Sequence, residues 1–308
     1  MKIIGTGRAN PAKIVTNAML EEFLDTSDEW IRERTGMTER HVISNEKLED
    51  LAAEAARKAI EDAGITPEDI DYIICSNVVN EYITPGLSCI IQGAIGAKCA
   101  CVDVNAACSG FIYALDMADD RIKSGKAKTI LVVAAEEPTR MVDWKDRSIC
   151  VLFGDGAGAA IFRLADTPFA LTLGARGSDV LHAGGPDRNG SAPITMDGRA
   201  VFRFAVETLP KCLHAVLDET QLTLGDLSWV VCHQANSRII DHCVKALNAD
   251  PAKFYKNMDC HGNTSAASIP VALNELAETG QLQPGQTIAC IGFGGGLTWG
   301  GAILQYKE

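Results

Sequence analysis

Short apolar runs bounded by turn residues alternate with longer stretches of helical spacing along most of this 308-residue chain. Residues 48–64, LEDLAAEAARKAIEDAG, repeat apolar side chains at helical intervals and end on Gly64, so the spacing predicts an amphipathic helix. Residues 71–78, DYIICSNV, hold a short continuous apolar run, the pattern of a strand buried on both faces. Residues 201–219, VFRFAVETLPKCLHAVLDE, predict a second helix, with a kink or break at Pro210, which has no N–H to donate. Strand–helix alternation of this kind predicts α/β layering with largely parallel sheets.

The same pattern is written twice. Residues 63–80, AGITPEDIDYIICSNVVN, match residues 220–237, TQLTLGDLSWVVCHQANS, with Cys75 over Cys232 at an offset of 157. NAACSGFIYAL from Asn105 lies over NTSAASIPVAL from Asn263, and KTILVVAAE from Lys128 over QTIACIGFG from Gln286, both at 158. GAGAAIF near residue 158 resembles WGGAILQ near residue 300. Self-similar segments in one order at one offset predict a duplicated α/β unit. The division falls near residue 165, giving halves 1–165 and 166–308 packed about a pseudo-twofold axis.

Composition narrows the class. Hydrophobic residues make up 47% and charged residues 22%, enough apolar surface for a sizeable core. The N-terminus MKIIGTGRANP has no basic segment followed by a long apolar one, and no run of about 18 apolar residues occurs. A cytoplasmic protein with no membrane span is expected. The formal charge of −12 argues against nucleic acid as a partner. Eleven scattered cysteines, an odd number, read as reduced thiols rather than a disulfide framework. Cys99 and Cys101 form a C-x-C, but no second Cys/His pair stands at zinc-like spacing, so no metal site is expected.

Candidate chemistry sits where the two copies differ. Cys108 faces Ala266, Ser76 faces His233, and Asn105 shares its type with Asn263. Cys108 follows the strand CACVDV and opens the helix SGFIYALDMA; a thiol at a helix N-terminus is expected to have its pKa lowered. The bland alternative is a small buried hydrophobe, the usual state of a free cysteine. His233 ends the strand SWVVC, a placement suited to a site, although structural or surface histidines are common; Asn263 in HGNTSAAS reads first as a turn residue. The C-terminal GFGGGLTWGG leads into a strand rather than opening a helix after one, so it is not a dinucleotide fingerprint. Its glycines suit close backbone approach to a ligand with N–H groups presented.

Taken together, NAACSGF at Asn105, HQAN at His233, GNTSAAS at Gly262 and GFGGGLTWG at Gly292 resemble the signatures of β-ketoacyl-acyl-carrier-protein synthase III, of the thiolase superfamily. TSDEWIRERTG from Thr26 and MDGRAVF from Met196 resemble that family too, and the resemblance spans essentially the whole chain. It implies a thiolase-like fold layered α-β-α-β-α. It implies that Cys108 takes a short acyl group from acyl-CoA, and that His233 and Asn263 hold the thioester carbonyl of malonyl-carrier protein while carbon dioxide leaves. The N–H groups of Cys108 and Gly295 would then form the oxyanion hole, with no metal or redox cofactor. Trp30, Arg34 and Arg147 match residues that contact CoA; Met196, Gly198, Phe202, Asn236 and Phe293 match the pantetheine tunnel. Arg203, Arg238 and Lys245 match a basic patch for acidic acyl carrier protein, with ordinary solvated surface as the alternative reading.

The resemblance also implies a homodimer, in which Thr84 stands where some members carry a Phe capping the partner's primer pocket. A smaller residue there is expected to admit longer or branched primers. The stretch Gly184–Thr195 is short for the loop before the Met-x-Gly motif, which leaves the tunnel shape open. A specialised polyketide or quinolone-starter enzyme is the alternative within the superfamily. A thiolase would need a second cysteine in the glycine-rich motif, and a non-catalytic carrier-binding homologue would have lost Cys108.

Overall fold

Ten strands make the central sheet of the computed structural model, which describes residues 1–187, 190–191 and 193–308. Five belong to the first copy of the repeat: β1 (Lys2–Ala9), β2 (Tyr72–Ser76), β3 (Ala100–Val104), β4 (Thr129–Glu136) and β5 (Gly156–Arg163). Five belong to the second: β6 (Ala170–Ala175), β7 (Trp229–Cys232), β8 (Phe254–Tyr255), β9 (Thr287–Gly294) and β10 (Thr298–Tyr306). The first set runs in the order β3-β2-β4-β5-β1 and the second in the matching order β8-β7-β9-β10-β6. β1 meets β10 only at Lys2–Ile3 against Gln305–Tyr306, so the two sets touch along a short seam.

The sheet is mixed rather than largely parallel. β2 is parallel to β3 and β4, and β7 to β8 and β9, but β5 is antiparallel to β4 and β1, and β10 to β9 and β6. The β9–β10 connection shows why: the three residues between Gly294 and Thr298 can close a hairpin but cannot carry a crossover helix.

Helices fill three layers. α1 (Leu48–Asp62) and α2 (Leu87–Ile95) cover the outer face of the first five strands. The α1 face is alanine-rich, and small residues let its backbone lie against β1; a Cβ on Gly7 would stand 2.2 Å from the Ala55 carbonyl oxygen. α3 (Gly110–Lys123) and α4 (Ser268–Glu278) share the central core, where Phe111, Ile112 and Leu115 meet Ile269, Leu273 and Leu276. α5 (Gly198–Thr220) and α6 (Ser237–Ala246) cover the second set, through Leu209, Leu213, Ile239 and Ile240. This gives the order α-β-α-β-α. α5 runs through Pro210 without the break its sequence suggests; packing of one apolar stripe, from Val201 to Leu217, outweighs one missing hydrogen bond.

All eleven cysteines are free thiols. Among the described residues no three His, Cys, Asp or Glu side chains are grouped to hold a metal ion, and no helix is long and apolar enough to cross a membrane. Arg188, Asn189 and Ala192, within the short Gly184–Thr195 stretch, lie outside the described residues.

Candidate active site

Cys108 sits in a single 3-10 turn, Ala107–Ser109, between β3 and α3. Ala107 holds a left-handed φ of 48°, and its counterpart in the other copy, Ser265, holds 53°, so both halves make the same strained turn before their buried helix. The Ser109 and Thr298 hydroxyls meet at 2.7 Å, tying the turn to the glycine run after β9. That run approaches so closely that a Cβ on Gly294 would lie 2.6 Å from the Cys108 nitrogen. Only glycine allows it.

The thiol is not activated by its place alone. Burial pushes it up to about 11, against the direction expected for a helix start; a hydrogen bond from the Ser265 hydroxyl at 3.4 Å offsets part of this, and buried Glu136 adds to it. Loss of hydration outweighs the helix terminus.

His233 follows β7 and is held by its own N–H, which donates to the Ile291 carbonyl at 2.8 Å. Nδ1 lies 2.8 Å from the Ser268 hydroxyl at the start of α4, and the ring meets the edge of Phe293 at 5.4 Å. Burial lowers its pKa to about 3, so the imidazole is neutral across the physiological range.

Asn263 is clamped by a strand-like bridge to Phe153: its N–H donates to the Leu152 carbonyl at 2.8 Å, and its carbonyl accepts from Gly154 N–H at 3.2 Å. Its side-chain oxygen accepts from Ser265 N–H at 2.9 Å, which leaves the amide NH2 as the group free to donate. Behind the clamp stands Arg40, fully buried, donating to the Val151 carbonyl at 2.8 Å and to Asn17 Oδ1 at 2.8 Å. Burial brings Arg40 down to about 10, still a cation at neutral pH. Sequence reading missed Arg40 and Ser268; the offset that aligned Cys108 with Ala266 also aligned Gly110 with Ser268, and that pairing was the available signal.

Cys108, His233, Asn263 and Gly295 line one cavity of about 870 Å³. Met196, Gly198, Phe202, Asn236 and Phe293 line it too. Asn236 also caps α6 and donates to the Arg34 carbonyl at 2.9 Å, joining the Asp28–Thr35 helix to that cap. Trp30 and Arg34 line the same space, and both Arg34 and Arg147 lay guanidinium groups over the Trp30 ring, at 4.8 and 5.3 Å. Arg147 itself is not part of the lining. A second hollow of about 670 Å³ shares Arg34, Phe202 and Arg238 with the first and adds Arg199 and Arg203. Its four arginines make a locally positive rim on an acidic chain; Arg199 was not singled out from the sequence. Arg238 also lies over Phe202 at 5.8 Å. Lys245, in the last turn of α6, and Thr84, in the loop before α2, line neither cavity.

The arrangement sets one thiol opposite two neutral hydrogen-bond donors in a largely apolar chamber with a cationic mouth. Such a chamber is suited to acyl transfer and to stabilising an enolate or oxyanion. Two family models match the chain: 3-oxoacyl-[acyl-carrier-protein] synthase III over residues 102–177, and the C-terminal region of the same enzyme over residues 217–306. The β-ketoacyl-[acyl-carrier-protein] synthase III of Clostridium acetobutylicum is 45% identical over 322 residues, covering 100% of this chain and 99% of that protein. The crystal structure of the Aquifex aeolicus 3-oxoacyl-[acyl-carrier-protein] synthase III is 43% identical, with a TM-score of 0.94 over 99% of both chains. The priming β-ketosynthase of the R1128 polyketide pathway is 37% identical, with a TM-score of 0.94 over 100% of this chain and 96% of that one.

Proposed function

The chain belongs to the 3-oxoacyl-[acyl-carrier-protein] synthase III family, and on that premise we propose that it is the initiating condensing enzyme of fatty acid synthesis. Cys108 Sγ attacks the thioester carbonyl of a short acyl-CoA, forming the acyl-enzyme and releasing CoA as its thiol. Malonyl-acyl carrier protein then enters. The imidazole of His233 and the amide of Asn263 donate to its thioester carbonyl, so that the electrons left by departing carbon dioxide rest on an enolate oxygen. The enolate carbon attacks acyl-Cys108, the oxyanion forms against Cys108 and Gly295 N–H groups, and its collapse returns the Cys108 sulfur and gives 3-oxoacyl-carrier protein. These steps use protein groups alone. The carrying observation is a neutral histidine and an oriented asparagine amide sharing one chamber with the thiol: both donate without being able to quench an enolate with a proton of their own charge.

The halves 1–165 and 166–308 divide the labour, the first supplying the nucleophile and the second both donors. Trp30, Arg34 and Arg147 receive the nucleotide of CoA. Met196, Gly198, Phe202, Asn236 and Phe293 hold the pantetheine arm. Arg203, Arg238 and Lys245, with Arg199 beside them, meet the acidic carrier protein. A homodimer accounts for the open outer edge of β3 and for Ile83, 91% exposed on the loop that carries Thr84. In that dimer Thr84 faces the partner's primer pocket. The polyketide-priming alternative shares the fold at 37% identity, whereas curated relatives at 45% and 44% identity bear the name β-ketoacyl-[acyl-carrier-protein] synthase III.

The test offers the purified protein a panel of acyl-CoAs and maps the adduct by mass spectrometry. An adduct on Cys108 is expected; one on another cysteine, or none with any primer, removes the mechanism. Cys108→Ala is expected to lose condensation and keep malonyl decarboxylation, whereas His233→Ala and Asn263→Ala lose decarboxylation.

A further inference from the structure

A neutral imidazole carries its hydrogen on one nitrogen only, and the choice decides whether His233 can donate to a substrate at all. Nδ1 is 2.8 Å from Ser268 Oγ, and Ser268 is 2% exposed. The same oxygen already accepts the Gln234 N–H at 3.2 Å. A hydroxyl has one hydrogen to give. Among the described residues, Nδ1 is the only acceptor within hydrogen-bond reach of the Ser268 hydroxyl. Were the hydrogen on Nδ1, that hydroxyl would be left buried with nowhere to donate, which folded proteins avoid. We infer that Ser268 is a positioning residue: its hydroxyl donates to Nδ1 and holds the imidazole hydrogen on Nε2, the nitrogen left for the chamber.

The duplicated half gives independent support. The counterparts of His233 and Ser268 are Ser76 and Gly110. There a Cβ at position 110 would stand 2.0 Å from Ser76 Oγ, and among the described residues that hydroxyl has no hydrogen-bond partner. One half therefore leaves the helix position empty beneath its strand end, and the other fills it with a hydroxyl that reaches a histidine. The two substitutions make sense as a pair. Neither Ala nor Gly at position 268 would select a tautomer, and a lone pair on Nε2 would repel the carbonyl oxygen that His233 is to stabilise.

This inference rests on the reading of His233 as a donor to the malonyl thioester, and the experiment separates the two. The protein is labelled with ¹⁵N-histidine, and the His233 ring is assigned by difference against His233→Ala. The parent is expected to show a protonated Nε2 and an unprotonated Nδ1 at neutral pH; Ser268→Ala mixes the tautomers, and Ser268→Thr, which keeps the hydroxyl, restores the parent signature. Malonyl decarboxylation in Ser268→Ala is expected to fall about tenfold or more, short of the roughly 10²–10³-fold lost with an outright donor. Loading of Cys108 from acyl-CoA stays within about twofold of the parent, since no step of it uses the Nε2 hydrogen. A hydrogen on Nδ1 in the parent, which needs no variant to fold, overturns the inference, and so does an unmixed Nε2–H tautomer in Ser268→Ala. Full decarboxylation by His233→Ala would instead remove the donor reading while leaving the tautomer result standing.

Discussion

Replacing Gly294 by Ala places one methyl group where the chain has no room for it. The added Cβ would lie 2.6 Å from the Cys108 nitrogen and 3.1 Å from that of Ser109, both backbone atoms with no flexible end to swing away. Ordinary contact begins near 3.4 Å, so the nucleophile turn or the glycine run must retreat by about 0.8 Å. That is large against the ~0.5 Å tolerance of a working constellation. The Cys108 N–H, taken here as an oxyanion donor, moves with the turn; losing one such donor costs roughly 10²–10³ in rate, or about 2.7–4 kcal/mol. Overpacking alone costs about 1–3 kcal/mol of stability, so the variant is expected to fold with a lowered melting temperature. The assay is steady-state condensation with acyl-CoA and malonyl-acyl carrier protein, with calorimetric unfolding beside it. Gly295→Ala serves as the comparison: its Cβ meets the Leu181 carbonyl at 3.1 Å, in the short strand Leu181–Ala183 rather than on the nucleophile turn, and a loss about tenfold smaller is expected. A Gly294→Ala variant with more than a third of parental activity would refute the argument that this glycine sets the oxyanion hole.

With its thiol pushed up to about 11, Cys108 is expected to alkylate with iodoacetamide at a rate rising about tenfold per pH unit between pH 7 and 10. Site-resolved mass spectrometry reads this, and a plateau near pH 8 would contradict the dominance of burial. Glu136 is fully buried and held well above the usual carboxylate range by desolvation, with one oxygen unpartnered among the described residues. Above pH 4.5 the unfolded chain ionises this group more readily than the folded chain, in which burial raises it, so Glu136 lowers stability as pH rises from about 4.5 until the folded carboxyl itself ionises. Glu136→Gln is expected to remove that slope and melt higher than the parent at pH 8 with little difference at pH 4; equal slopes would exclude the account. Trp30→Ala is expected to raise KM for acyl-CoA by about 5- to 150-fold, matching the ~1–3 kcal/mol of base stacking on an aromatic ring, with kcat little changed. An unaltered KM would move the nucleotide elsewhere.

Much of this protein is readable along the chain. Apolar periodicity reports burial on each face of each element, and the offset of 158 aligns Cys108 with Ala266 and Asn105 with Asn263 without any coordinates. Motif spacing also sets Met196 just before one helix and Gly198 and Phe202 in its first turns, and all three line the cavity. These features are local, or copied from one half to the other, so a linear pattern can carry them. What the tertiary structure decided is relational. The antiparallel pairing of β9 with β10 follows from the length of a turn. The state of the Cys108 thiol follows from how much water its neighbours exclude, and here exclusion overrides the helix start. The hydrogen on His233 depends on Ser268, 35 residues away in sequence and 2.8 Å away in space. Arg40 reaches the Asn263 clamp only because the fold buries it there. Hydration, hydrogen-bond partners and charge act through distance between packed atoms, and only folding sets those distances.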